Sequence, residues 1–328
     1  MIMERIEISH KTIIFTAVFL ISLWFLYQIR SIILLLFIVV IFTAALTDLV
    51  DKIEKIGIPR TLAILIIYLV VIASLVGAIF LIFPPMIEQT GAFFKSLPKL
   101  FKETGLAEFI KPDLIVSELS SLPGAVFKFI LGAFSNLLSV FVVLVLTFYS
   151  LYEIKRLPQY LQALFADKEK EEKILSVINK IQENIGSWVR GELILMIIVG
   201  VASYIGFKIL GLEFALALAV IAGFLELIPN IGPTIAAIPA IIVGLSMSWP
   251  LGLGALLVSI IVQQLENHII VPQIMKHVIG INPIVTILTL IIGYKLGGAG
   301  GAILSIPLLL TAKIILVELY LSKKDGTP

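Results

Sequence analysis

Between Leu227 and Leu265 run 39 consecutive residues without one charged side chain, nearly twice the ~20 apolar residues that carry a helix across about 30 Å of hydrocarbon. Such a stretch belongs in a membrane, yet it cannot be one helix, because Pro229, Asn230, Gly232 and Pro233 fall close together near its start. Each proline deletes a ladder hydrogen bond and crowds the preceding turn, and the glycine between them removes any side-chain constraint on the bend. The pattern predicts two half-length helices, Phe214 to Ile228 and Thr234 to Met247, meeting at an apex within the membrane. Opened backbone survives at membrane depth only where protein or water covers it.

The rest of the chain fits that solvent. Of 328 residues 59% are hydrophobic and only 14% charged, with a mean hydropathy of +1.12, whereas a soluble domain carries about 25% charged residues. Further uncharged runs cover Thr12 to Ile29, Ile32 to Thr47, Thr61 to Phe83, Phe129 to Tyr152, Leu193 to Leu212 (interrupted by Lys208) and Leu251 to Val271. The first two read as a hairpin turning at Arg30, and the third is expected to end at Pro84 and Pro85. Charges scattered among Phe93, Phe94, Phe101 and Phe109 give residues 85–128 the pattern of amphipathic helices at the membrane interface, or of a small exposed cap. In the polar segment 153–190, Ile174, Ile178, Ile181, Ile185 and Trp188 form one helical stripe that docks on the chain's own helices or on a partner.

A second interruption follows. Pro283 to Tyr294 and Ala302 to Val317 flank Lys295, Gly297, Gly298, Gly300 and Gly301, more glycine than a helix-packing notch needs. Ile306-Pro307, whose proline is expected to be a further break in this hairpin, echoes Ile238-Pro239 at an offset of 68 residues. The expected fold class is therefore an all-α integral membrane protein, a polytopic helical bundle with two broken re-entrant hairpins, 214–247 and 283–317, related as an inverted repeat. Residues 1–152 would be a scaffold, 153–190 a cytoplasmic segment and 191–321 the transport region. That layout puts both termini and 15 of the 24 Lys and Arg in the cytoplasm of a multi-pass cell-membrane protein.

Polar groups inside apolar runs are the candidates for function. Glu226 stands three residues before the first break, either to handle a proton or substrate or to tie down opened backbone amides. Gln263, Glu266 and Asn267 are spaced to share one helix face, as part of a pathway or as an interhelical hydrogen-bond cluster. Asn230 with Pro229, Gly232 and Pro233 forms the first apex, where exposed amides suit a polar or anionic group. Lys295 beside the second apex either pairs with Glu226, Glu266 or substrate, or reaches the interface. Balanced charge, net +2, argues against a nucleic-acid partner. The chain has no cysteine and none of the nucleotide, zinc-protease or serine-hydrolase signatures, so neither enzyme, cofactor nor metal centre is expected.

Glu226 to Pro233 reading ELIPNIGP, Gln263 to Pro272 reading QQLENHIIVP, Gly280-Ile281-Asn282-Pro283 and the GGAGG stretch before Ile306-Pro307 together resemble the autoinducer-2 exporter family. The resemblance implies a secondary transporter exporting a small polyhydroxylated signal, or a sodium or lithium/proton antiporter as assigned to similar proteins. It further implies a homo-oligomer, with a pentamer as the suggested form, whose broken C-terminal part moves against a scaffold. A gated channel and a membrane scaffold are the remaining readings.

Overall fold

A computed structural model describes residues 10–103, 137–165, 167–229, 232–275, 280 and 282–325. Among these residues every regular element is a helix. In chain order they are α1 (His10–Gln28), α2 (Arg30–Lys55), α3 (Arg60–Glu103), α4 (Leu137–Glu153), a 3-10 turn (Ile154–Arg156), α5 (Leu157–Leu164) and α6 (Lys168–Ile209). Then come α7 (Ala215–Leu225), α8 (Gly232–Met247), α9 (Trp249–Leu265), a π-helical turn (Glu266–Ile270), α10 (Val271–Ile274) and α11 (Pro283–Asp325). Six helical segments among the described residues are long and apolar enough to cross a membrane. Their outward faces are covered by large apolar side chains such as Phe15, Trp24, Leu69, Ile197 and Leu288, all more than half exposed. Water would penalise so continuous an apolar surface, and a bilayer accepts it. The protein is an all-α polytopic membrane protein.

Four local expectations need correction. There is no reversal at Arg30: α1 passes into α2 through Ile29 alone, whose N–H still donates to the Phe25 carbonyl and whose carbonyl still accepts from Ile33, both at 3.0 Å. With the ladder kept on either side, the junction is a kink. Arg30 makes this tolerable by lying over the Tyr27 ring at 3.9 Å and donating to the Tyr27 carbonyl. Pro84 and Pro85 do not end α3, which runs for 44 residues to Glu103. A proline costs its own ladder bond and bends the axis, but carrying on the helix keeps the remaining backbone groups paired where water cannot serve them. The same helix thus runs on through residues 85–103, and residues 104–128 lie outside the described residues.

The polar segment 153–190 is not separate from the span after it. Asp167 caps α6 by accepting from the Glu169 N–H at 3.1 Å, and the helix then runs 42 residues to Ile209. Its stripe docks on the chain itself: Ile185 is wholly buried, and Trp188 packs with Leu290, Ala302, Ile306 and Leu310 of α11. Finally, Pro307 does not break α11 but sits buried inside it. The interruption is confined to Gly297 and Gly298, the latter at φ 61°, ψ −148°, a conformation open almost only to glycine. There α11 folds back so closely that a Cβ on Gly293 would meet the Gly301 carbonyl and the Ser305 side chain.

One polar staple ties α2, α3 and α4 together. Arg60 Nη1 bonds Asp51 and Glu54 of α2, each at 2.7 Å, and its Nε donates to the Leu151 carbonyl of α4 at 2.7 Å, with the side chain only 9% exposed. Three helices meet at this guanidinium. Arg60→Ala should lower unfolding stability by about 3 kcal/mol, because two carboxylates and a carbonyl lose a buried donor. Lys155→Ala, which removes an exposed bond to Glu54, should cost less than about 1 kcal/mol. Thermal unfolding of both variants in detergent checks the contrast.

Candidate functional site

The break predicted at ELIPNIGP is present. Helix α7 ends at Leu225, Glu226 and Leu227 form a turn, and α8 begins at Gly232 with Pro233 in its first turn, where a missing N–H does no harm. Gly232 is needed by space: its N–H donates to the Ile228 carbonyl at 2.8 Å, and a Cβ there would run into the carbonyl of Leu225. The turn carrying Glu226 is thereby held against the first residue of α8.

Helix α6 reaches this turn through small residues. A Cβ on Gly223 of α7 would come 2.8 Å from the Met196 carbonyl and 3.3 Å from the Gly200 Cα, so the two backbones nearly touch. On the other side α6 packs against α9, where Gly206 receives the Val258 side chain. At the end of α9 the backbone widens into the π turn Glu266–Ile270, a deformation frequent at functional sites.

Three carboxylates converge where these helices meet. Glu192 of α6, Glu226 of the α7 break and Glu266 of the π turn are 3%, 2% and 4% exposed. The Glu226 and Glu266 carboxyls lie within hydrogen-bonding reach of each other, and Glu192 lies close enough to interact electrostatically with both. Two carboxyls joined by a hydrogen bond must hold a proton between them. Each of the three residues also keeps one buried oxygen without a hydrogen-bond partner among the described residues: Oε1 of Glu192 and Oε2 of Glu226 and Glu266. Buried acceptors are seldom left so, and the cluster is therefore chemically unfinished without a proton, a cation or a solute donor.

Of the remaining candidates, the structure brings Gln263 to the same seam, half-buried one turn before Glu266. It does not bring Asn267, which is exposed, because the π turn begins at Glu266 and rotates the following residues off the buried face. Lys295 is exposed beside the Gly297 fold and is not among the groups acting on the carboxylates. Asn230 lies outside the described residues. Gly300 and Gly301 fall in the returning arm of α11, just past its fold. Glu192 escaped the sequence reading, since it sits two residues past Arg190 at the end of a charged segment. Its signal was the stripe itself, because Ile185 and Trp188 continue at helical spacing through Glu192, Leu195 and Val199.

A second feature lies across α6 from the carboxylates. A cavity of about 800 Å³ opens between α2 and α6, lined by Asp48, Lys52, Gln182, Glu183, Arg190 and Gly191 among others. Arg190 bridges it, bonding Asp48 at 2.6 Å and the Ala45 carbonyl at 3.0 Å.

A polytopic helical membrane protein with interrupted helices around buried acids has the build of a solute transporter. Comparison with known proteins agrees: the AI-2E family transporter model matches residues 13–321, and the chain belongs to that family. It is 26% identical over 305 residues to the AI-2 transport protein TqsA of Escherichia coli (strain K12), covering 87% of this chain and 84% of TqsA. It is 28% identical over 294 residues to YueF of Bacillus subtilis (strain 168), named as a candidate transport protein, covering 80% and 77% of the two chains. YhhT of Escherichia coli (strain K12), named in the same way, is 27% identical over 297 residues, with 87% and 84% covered. The protein is a membrane transporter.

Proposed function

We infer that the protein is a secondary transporter of the cell membrane that moves a small polar solute of the autoinducer-2 type against protons, with Glu192, Glu226 and Glu266 as the proton-handling groups. The observation that carries this reading is the convergence of three buried carboxyls, each with an unpartnered oxygen, at a helix break and a π turn. A proton shared by Glu226 and Glu266 costs little to hold, whereas a second negative charge in this apolar site costs much. A solute rich in hydroxyls supplies the donors that a deprotonated cluster lacks, so that proton loss and solute binding favour one another. The name of TqsA supports the choice of solute. Export is the proposed direction, with Lys52, Lys55, Arg60 and the basic residues from Lys155 to Arg190 facing the cytoplasm.

In this reading the two interrupted regions are re-entrant hairpins. Trp188 joins α6 to α11, and Ile228 from the first break packs into the same cluster, so a shift of α11 reaches the Glu226 turn. The assembly is proposed as a homo-oligomer in which α2, α3 and α4 form the fixed part. A reporter at Ser248 should then be external and one at Lys276 cytoplasmic. Finding Ser248 in the cytoplasm makes α7 and α8 separate crossings and ends the re-entrant description.

The functional test is a proteoliposome flux assay with labelled autoinducer-2 and, separately, labelled sodium, each with and without an imposed pH gradient. Saturable autoinducer-2 flux stimulated by the pH gradient is expected. Sodium flux stimulated by that gradient, with autoinducer-2 excluded, would replace the reading with cation/proton antiport, and non-saturating flux would indicate a channel.

A further inference from the structure

The four helices around the carboxylates enclose a second, smaller space. A void of about 20 Å³ lies between α6, α7, α8 and α9. Three polar side chains line it: Ser203, buried to 4%, Ser259 and Gln263. No charged group lines it. The titratable groups that face this seam from the surrounding helices are Glu192, Glu226 and Glu266, and each stands on a helix, or at the end of one, that also lines the void. Glu226 follows the lining residue Ala222 by one turn and Glu266 follows Gln263 by one turn. Glu192 precedes Val199, another lining residue, by two turns on the same face of α6. Because α6 runs opposite to α7 and α9, these offsets put all three carboxylates on the same side of the void. The space therefore continues the carboxylate seam toward the end of the protein that carries Gly211 and Ser248.

The volume and the chemistry agree on an occupant. About 20 Å³ of this measure holds one water molecule, and a buried water needs two to four polar partners. The Ser259 hydroxyl donates to the Ala255 carbonyl at 2.9 Å, which leaves its lone pairs to accept. The Gln263 amide offers both a donor and an acceptor. At the far wall of the void Phe207, together with Leu212, Leu218 and Val243, closes the seam as a buried apolar cluster.

We propose that this void holds a single water which, with Ser203 and Ser259, relays protons between the Glu226–Glu266 pair and the Gly211–Ser248 end of the protein. The proposal rests on the proton-coupled reading above and adds the route. In each step a carboxyl O–H breaks as its proton passes to the water oxygen, the water gives one of its own protons to a serine hydroxyl, and that hydroxyl, turned off its carbonyl partner, gives a proton to solvent water admitted from the Gly211–Ser248 end when the apolar cluster parts. The water and the hydroxyls are regenerated, and one positive charge has moved. Gln263 cannot pass a proton on and acts by holding the water in line. The apolar cluster at Phe207 makes the route discontinuous in this conformation, which is what coupling requires, since an open wire would dissipate the gradient.

The test compares two fluxes of labelled autoinducer-2 in proteoliposomes: flux driven by a pH gradient, which needs net proton movement, and counterflow at equal pH, which does not. The variants are Ser203→Ala combined with Ser259→Ala, which removes both relay hydroxyls, and Ser203→Val, which fills the void; size-exclusion elution confirms that each is folded. Driven flux should fall by about tenfold or more, in line with the loss of a positioned proton-transfer group, while counterflow stays within about twofold of wild type. Driven flux preserved in either folded variant overturns the relay, and an equal loss of counterflow assigns the serines to packing or solute contact instead. Glu226→Gln in the same assay separates the layers. If it abolishes driven flux while the serine variants do not, only the relay fails; if it too leaves driven flux intact, the proton-coupled reading fails with it.

Discussion

Gly232→Ala should eliminate transport and lower stability by about 3 kcal/mol, the upper end of the usual cost of overpacking, because the atoms it meets cannot yield. The added methyl group meets the carbonyl of Leu225 and lies 3.2 Å from the Glu226 nitrogen. All of these are backbone, so no rotamer change relieves the contact. Relief comes only by opening the turn between α7 and α8, which moves Glu226 away from Glu266. Gly200→Ala is the control, because its Cβ would sit at an ordinary 3.6 Å from the Ala219 carbonyl. It should retain near-normal stability and flux. Thermal unfolding and autoinducer-2 flux on the two variants check the difference, and a Gly232→Ala protein with normal flux would mean that the geometry of the Glu226 turn does not matter.

A comparable loss is expected at the second fold. Gly301→Leu places a branched side chain where the Gly293 carbonyl lies, and the two arms of α11 must part. The hinge itself is equally restricted, since Gly298 adopts a backbone conformation that any side chain strains. Parting the arms also disturbs Leu290, Ala302 and Ile306 around Trp188, and through Ile228 the foot of the carboxylate site. Flux should fall by about a hundredfold or more, on the scale at which misplaced catalytic or binding groups act. Gly77→Leu in α3, where nothing lies within 4 Å of a Cβ, should be neutral. Loss of flux in Gly77→Leu of the same size would point to a general insertion defect rather than to the fold of α11.

Much of this was legible in the sequence because its causes are local. Proline and glycine act on their own residue and the turn beside it, so Pro229, Gly232 and Pro233 mark a break wherever the chain is placed, as do Gly297 and Gly298. The same rule misled at Pro84, Pro85 and Pro307, where one or two missing bonds are outweighed by the cost of unpaired backbone in an apolar surrounding. The single charged residue Arg30 read as a turn, but its guanidinium is satisfied by Tyr27 and the chain passes on.

The carboxylate site was half legible. Glu226 and Glu266 stood out as acids within uncharged runs. That they meet each other depends on the close approach of α6 to α7 through Gly200 and Gly223 and on the packing of α9 across α6, which no local pattern reports. Glu192 was hidden by the charged residues just before it, and only its place on the buried stripe of α6 distinguishes it. Asn267 was misplaced for the opposite reason. Its spacing from Gln263 promises a shared face at 3.6 residues per turn, and the π turn beginning at Glu266 changes that count.

In the proposed mechanism Glu192, Glu226 and Glu266 link proton movement to solute movement. A pH-sensitive dye trapped inside proteoliposomes, at equal pH on both sides and with a gradient of autoinducer-2 alone imposed, reads this link without a driving proton gradient. In wild type, solute moving down its gradient should drive a pH change of the opposite sense to proton symport; Glu226→Gln and Glu266→Gln should abolish this change, and Glu192→Gln should weaken it. Solute flux without any pH change in wild type, or an unchanged response in Glu226→Gln, would contradict this link.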